Sequence, residues 1–148
     1  MESGPVVLDT DTLSELSRGN PLVREHASAY LAAFGRLTIT AITVFERLRG
    51  YHLAIREGKP FQRQLQAFEA LVANCIVIPF DQEAAHVAAE IWSGATRSQR
   101  HQLGDLLIAA VAISRQLPLV TRNQRDFQRL TTNLRLADWS RAARSPKR

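Results

Sequence analysis

Apolar residues in this chain come in short runs, and the spacing within each run separates strands from helices. Val6, Val7 and Leu8 are apolar and mostly β-branched, and polar residues follow, so 6–9 reads as a short buried strand. The same pattern predicts strands at 37–40, at 76–79 (Ile76-Val77-Ile78-Pro79), at 119–121 and, last, at 134–136. Between them the apolar spacing changes to threes and fours. Residues 12–18 read as a helix closed by Gly19-Asn20-Pro21. Pro21 suits the first turn of a second helix over 21–34, which Gly35 stops. Val44, Leu48, Tyr51 and Ile55 share one face of a helix over 43–56, broken by Gly58-Lys59-Pro60. Helical spacing resumes over 61–73 through Leu65, Phe68, Leu71 and Val72. Ala84, Val87, Ala88, Ile91 and Trp92 give a helix over 81–95 its inward face. Residues 96–104 are polar and basic and read as a loop. The segment 105–116 is apolar nearly all round, which predicts a central buried helix. Residues 126–130 read as a short helical turn, and 140–148 as a basic, frayed tail.

Strand and helix alternate throughout. That predicts an α/β domain with a parallel sheet covered by helices on both faces. In such sheets, sites form beyond the carboxyl ends of the strands. A length of 148 residues suits one domain with a full core. No internal repeat or linker interrupts it. No stretch is apolar enough to span a bilayer. Met1-Glu2-Ser3-Gly4-Pro5 lacks the basic-then-apolar order of a secretory signal, so a cytoplasmic protein is expected. Cys75 is the lone cysteine and reads as a small buried hydrophobe in Cys75-Ile76-Val77-Ile78.

Carboxylates recur at the mouths of the apolar runs. Asp9 ends the first. Glu46 follows 37–45, Asp105 opens the central helix, and Asp126 comes just after 119–121. Acids placed this way converge in space, repel one another and need a cation. Oxygen-only ligands favour hard ions such as Mg²⁺ or Mn²⁺. Each acid also has a local reading. Glu46 lies three residues after Thr43, a capping-box spacing that Thr12 and Glu15 repeat. Asp9 suits a helix cap, Asp105 the positive end of its helix dipole, and Asp126 stands cap-like three after Asn123. The net charge of +5 comes almost wholly from arginine, since Lys59 and Lys147 are the only lysines. Arginine forks match phosphate geometry.

Other chemistries fit less well. His26, His52, His86 and His101 share no metal-ligand spacing, and no phosphate-cradling glycine loop or nucleophile elbow occurs. Trp92 and Trp139 have apolar neighbours and read as packing residues. Leu8-Asp9-Thr10-Asp11-Thr12 resembles the nucleophile motif of haloacid-dehalogenase-like phosphatases. Those enzymes also need a phosphate-binding lysine and a late acidic pair, and neither Lys59 nor Lys147 is placed for that role.

A second resemblance covers 6–139, nearly the whole chain. Val7-Leu8-Asp9-Thr10-Asp11-Thr12-Leu13-Ser14-Glu15-Leu16 resembles the opening of PIN-domain ribonucleases, especially VapC-type toxins of bacterial toxin–antitoxin pairs. The stretch from Thr40 to Gly50 resembles their second motif, with Glu46 as its acid. Asp105-Leu106-Leu107-Ile108-Ala109-Ala110 resembles the third, and the stretch from Leu119 to Phe127 the fourth. The closing strand matches too. The chain departs from the family at Asp11, where Asn is common, and in 98–104, where a Gly-Pro-rich loop is usual. The fourth acid falls at Asn123 or Asp126; Asp126 is taken, with Asn123 as a neutral helper.

The resemblance implies a PIN-like α/β/α sandwich over 1–139, followed by the tail 140–148. It also implies metal-dependent RNA cleavage, homodimerisation and inhibition by a VapB-type antitoxin. The expected site is Asp9, Glu46, Asp105 and Asp126, holding Mg²⁺ or Mn²⁺ largely through water, with Thr10, Asp11 and Asn123 in support. A metal-bound water has the lowered pKa needed to attack phosphorus. Arg47, Arg97, Arg100, Arg122 and Arg125 are the candidates for RNA phosphates. The competing class is a non-catalytic PIN-like binding module, which the intact acid set disfavours.

Overall fold

The computed structural model describes residues 4–142, so the expected tail lies outside the described residues from 143 onward. In chain order the elements are β1 (Val7–Leu8), α1 (Thr10–Ser17), α2 (Pro21–Phe34), β2 (Thr38–Thr40), α3 (Ala41–Arg56) and α4 (Gln62–Ala73). There follow β3 (Ile76–Ile78), α5 (Gln82–Gly94), α6 (Arg97–His101), α7 (Leu103–Ser114), β4 (Leu119–Val120), α8 (Gln124–Leu130) and β5 (Leu136–Ala137).

Every strand pairing is parallel: β1 with β4, β4 with β5, and β2 with β3. Among the described residues this gives a three-stranded and a two-stranded ladder, with β1 running alongside β2. Successive strand residues point to opposite faces. Leu8 and Val120 therefore pack with Leu13, Val23, Tyr30 and Phe68 under α1, α2 and α4. Their neighbours Val7 and Leu119 pack with Ala84, Ile108, Val111 and Phe127 under α5, α7 and α8. Two cores, one on each face, make the expected α/β/α sandwich. The expected central helix is α7, where Leu106 and every residue from Ile108 to Ala112 are buried.

Local chemistry sets the ends. The Asn20 side chain accepts from the Leu22 and Val23 amides, Pro21 opens α2, and Gly35 closes it at φ 82°. Cys75 is buried, and so is Trp139, against which the His26 ring stacks. Among the described residues no helix is long and apolar enough to cross a membrane.

Four expectations need correction. Residues 96–104 are not a loop: Thr96 and Gln99 form a reciprocal capping box that starts α6, and α7 begins at Leu103. Trp92 faces outward, 42% exposed, beneath the Arg100 guanidinium. β3 is only partly buried: among the described residues it pairs only with β2, Ile78 is buried, and Ile76 is 49% exposed on the edge. The last strand is shifted two residues along, to Leu136–Ala137.

Candidate active site

Asp9, Asp105 and Asp126 reach the site because each stands where a helix begins beyond the sheet, and Glu46 joins them from the second turn of α3. Asp9 follows β1 and caps α1, where its Oδ1 accepts the Thr12 amide at 2.7 Å. It is 4% exposed. Burial raises its pKa, opposed by hydrogen bonds from Thr121 at the end of β4 and from Thr12. Glu46 lies on α3, where the Thr10 hydroxyl donates to its Oε1 at 2.8 Å. Thr10 also meets the Thr43 hydroxyl at 3.0 Å, which fixes α1 against α3. Asp105 sits in the first turn of α7. Its pKa is pushed up to about 6, first by burial and then by the charges of Glu46, Asp9, Asp126 and Asp11. The acids far apart in sequence thus share one electrostatic site. Asp126, in the first turn of α8, is exposed but lines a small concavity with Asp105, Gln99, Gln102 and Leu130.

The local readings of these acids fare unevenly. α3 starts at Ala41 with Thr40 as its cap, so the Thr43–Glu46 spacing is no capping box. Asp9, not Thr12, caps α1, which removes the Thr12–Glu15 box as well. Asn123 occupies the N-cap of α8 without a side-chain capping bond, and its amide donates instead to Thr121 Oγ1 at 3.0 Å. Thr12 spends its hydroxyl on the Val120 carbonyl at 3.1 Å, tying α1 to β4.

Sequence reasoning missed Gly104. A Cβ built there would overlap the Glu46 carboxylate, so glycine lets that carboxylate lie against the start of α7. Its position immediately before a helix-opening acid was the available signal. Gln99 and Gln102 were also missed, because α6 was read as loop.

The candidate arginines divide into two groups. Arg122 pairs with Glu15 at 2.9 Å and with Asp11 at 3.7 Å. Arg47 donates to Ser14 Oγ at 2.7 Å and to the Tyr51 hydroxyl, flanked by the Tyr51 and Phe68 rings. Arg100 is exposed but donates to the Trp92 carbonyl at 3.3 Å through two nitrogens. Arg97 and Arg125 are exposed and make no ion pair among the described residues. Among the described residues no lysine serves a phosphatase-like site, since Lys59 is exposed between α3 and α4; Lys147 lies outside the described residues.

The donor set suits a hard divalent cation. It is all oxygen, and the mutual repulsion recorded on Asp105 is what such an ion relieves. Among the described residues no three acidic, histidine or cysteine side chains already form a closed cage. Mg²⁺ does not require one, since it keeps several waters and takes only one or two carboxylates.

The sequence matches the PIN domain over residues 6–133. It is 34% identical to a tRNA(fMet)-specific endonuclease VapC from Shigella flexneri, over 72% of this chain and 77% of that protein. It is 28% identical to ribonuclease VapC1 from Haemophilus influenzae strain R2866, over 91% and 98%. The fold superposes on a DNA-bound VapBC structure from Salmonella typhimurium with a TM-score of 0.73 and 27% identity, covering 91% of this chain and 98% of that one. With its acids gathered beyond the sheet as described, the chain belongs to the PIN-domain family and takes its place among the VapC-type ribonucleases.

Proposed function

We propose that this chain is a VapC-type toxin, a Mg²⁺-dependent endoribonuclease held in check by a VapB-type antitoxin. One observation carries the reading: burial of Asp105, together with the charges of Glu46, Asp9 and Asp126 from separate elements, pushes its pKa up to about 6. A site that repels itself this strongly is built to be completed by a cation. Asp9, Glu46 and Asp105 would hold Mg²⁺, with Mn²⁺ as a substitute and Asp126 at the open rim. When bound, the ion supplies an activated water and neutralises charge on the phosphodiester. Thr10 holds Glu46 in place, and the Thr12 amide with Thr121 orients Asp9. Because Asp105 is partly protonated near neutral pH, metal binding displaces its proton and weakens as pH falls.

The substrate is RNA with unstacked bases, for arginine contacts to phosphate carry no sequence information. A tRNA loop is the best candidate, given the activity for which the Shigella relative is named. Arg97 and Arg125 are the freest cations to receive phosphates. The antitoxin is a helical segment lying across α2, α3 and α4, where Leu31, Phe34 and Leu53 stand exposed. The working form is a cytoplasmic homodimer.

The test is cleavage of matched hairpin and duplex RNAs by purified protein with Mn²⁺, alongside Asp105→Asn. Cutting of the hairpin loop that EDTA and Asp105→Asn both abolish is the expected result. Cleavage at equal rates by Asp105→Asn, or equal cutting of duplex, overturns the proposal. In cells, strong expression of the chain alone should arrest bacterial growth, and co-expression of the neighbouring small gene should restore it.

A further inference from the structure

Arg47 adjoins Glu46 in sequence, yet its guanidinium turns away from solvent. One terminal nitrogen donates to Ser14 Oγ at 2.7 Å, and the other to the Tyr51 hydroxyl. The guanidinium carbon lies 5.4 Å from the Tyr51 ring centroid and 5.2 Å from that of Phe68. Tyr51 and Phe68 are themselves in contact across α3 and α4, with ring centroids 5.8 Å apart. Ser14 passes the connection on: its hydroxyl donates to the Thr10 carbonyl at 2.9 Å. Thr10 in turn donates to Glu46 Oε1. A continuous chain of bonds therefore runs from the α3–α4 aromatic contact through Arg47, Ser14 and Thr10 to the Glu46 carboxylate.

We infer that Arg47 is a positioning residue that fixes Thr10 and Glu46 for cation binding, and is not a contact to RNA phosphate. The inference rests on the metal-nuclease reading above. A guanidinium held at both terminal nitrogens and flanked by two rings is fixed against α1 and α4 and is not free to reach out to a phosphate. Lysine cannot reproduce it, because one ammonium cannot span Ser14 and Tyr51 in the planar fork that arginine provides. Groups that orient metal ligands through hydrogen bonds affect metal affinity by about 10–100-fold when removed.

The two roles predict opposite results. Arg47→Met should weaken direct Mn²⁺ binding to the RNA-free protein by about 10-fold or more. RNA affinity measured in EDTA, and its salt dependence, should stay as in wild type. Arg47→Lys should recover only part of the Mn²⁺ affinity. Ser14→Ala should shift Mn²⁺ binding in the same direction, and the double variant should be no worse than the larger single effect, as expected of members of one chain. Leu48→Ala, which loosens the same helix from the core without touching these bonds, should lower the melting temperature with a smaller effect on Mn²⁺. Loss of RNA affinity in Arg47→Met, with a salt slope reduced by about 0.7 and unchanged Mn²⁺ binding, would identify a phosphate contact and overturn the inference. If Arg47→Met does not fold, Ser14→Ala decides: normal Mn²⁺ affinity in that folded variant overturns it equally. Asp105→Asn separates the two levels. If it binds Mn²⁺ like wild type, the nuclease reading fails. If it loses the metal while Arg47→Met keeps it, only the assignment of Arg47 fails.

Discussion

Replacing Asp105 with asparagine should stabilise the metal-free protein. The Asp105 pKa rises from 3.8 to about 6 in the fold. At about 1.36 kcal/mol per pKa unit, the ionised carboxylate costs the folded state about 3 kcal/mol at pH 7.5. The group is partly exposed, and solvent screening reduces this to about 1.5 kcal/mol. Asparagine keeps the shape and removes the charge. It also loses the favourable interaction of an acid with the positive end of α7, worth about 0.3–1 kcal/mol. Burial and repulsion together therefore outweigh the dipole, and a net gain of about 0.5–1 kcal/mol remains. In a chain of this length that is about 1–4 °C in melting temperature.

The pH dependence fixes the cause. A carboxylate whose folded pKa is raised gives up stability as pH climbs through the window from 3.8 to about 6. Below that window it is neutral in both folded and unfolded chains and costs nothing. The advantage of Asp105→Asn should thus be full at pH 7.5, shrink through pH 5 and vanish near pH 4. Saturating Mn²⁺ should reverse the order, because only the wild type gains from binding. Thermal unfolding in EDTA and in Mn²⁺, from pH 4 to 8, measures all of this. A variant that melts below wild type in EDTA at pH 7.5, or whose gain does not change with pH, would refute the electrostatic account of the site.

Asp126→Asn should raise the Mn²⁺ concentration for half-maximal cleavage several-fold while leaving stability nearly unchanged, since neither Asp126 nor Asn123 makes a capping bond; an unshifted metal titration removes Asp126 from the site. Gly104→Ala should reduce cleavage about 10-fold or more by driving the Glu46 carboxylate aside, with only about 1–2 kcal/mol lost in denaturant unfolding because alanine is the better helix former; wild-type activity would show that the carboxylate has room to move. Arg97→Glu with Arg100→Glu should weaken binding to many RNAs alike and flatten the salt dependence by more than about 1 in slope, read from binding across a salt series; an unchanged slope would place the RNA elsewhere.

The sequence pattern made the sandwich legible because its signals were strong and redundant. α2 matches its expected bounds, fixed by Asn20, Pro21 and Gly35, each of which acts within one turn. The continuous apolar stretch of α7 admitted no other placement. What failed depended on tertiary context. Ile76-Val77-Ile78 has the composition of a buried strand, and Ile76 is left on an edge because among the described residues β3 has no second pairing partner. α6 is short and polar, with no apolar stripe to announce it, although Thr96 and Gln99 carried the capping-box spacing. The same spacing misled at Thr43 and Glu46, because α3 begins earlier, at Ala41. Three of the acids followed from placement after strands or at helix starts. Gly104 did not, since the need for it arises only when α7 meets α3.

The contest between capping and ligation for each acid proves partly false. Capping does not withdraw Asp9 from the acid cluster: it caps α1 and still lends its charge to Asp105. In a parallel sheet the helices that follow the strands start at the same edge, so acids favoured at helix starts gather there as a matter of topology. Helix ends alone cannot hold them. Each offers about 0.3–1 kcal/mol, against about 1.5 kcal/mol for Asp105 even after screening. Arginine does not close the gap either. Arg122 is spent on Glu15 and Asp11, and Arg49 lies 3.9 Å from Glu46 with its side chain 62% exposed. Among the described residues the fold thus concentrates negative charge that dipoles and cations leave uncompensated, and this is the charge that the proposed divalent ion would neutralise.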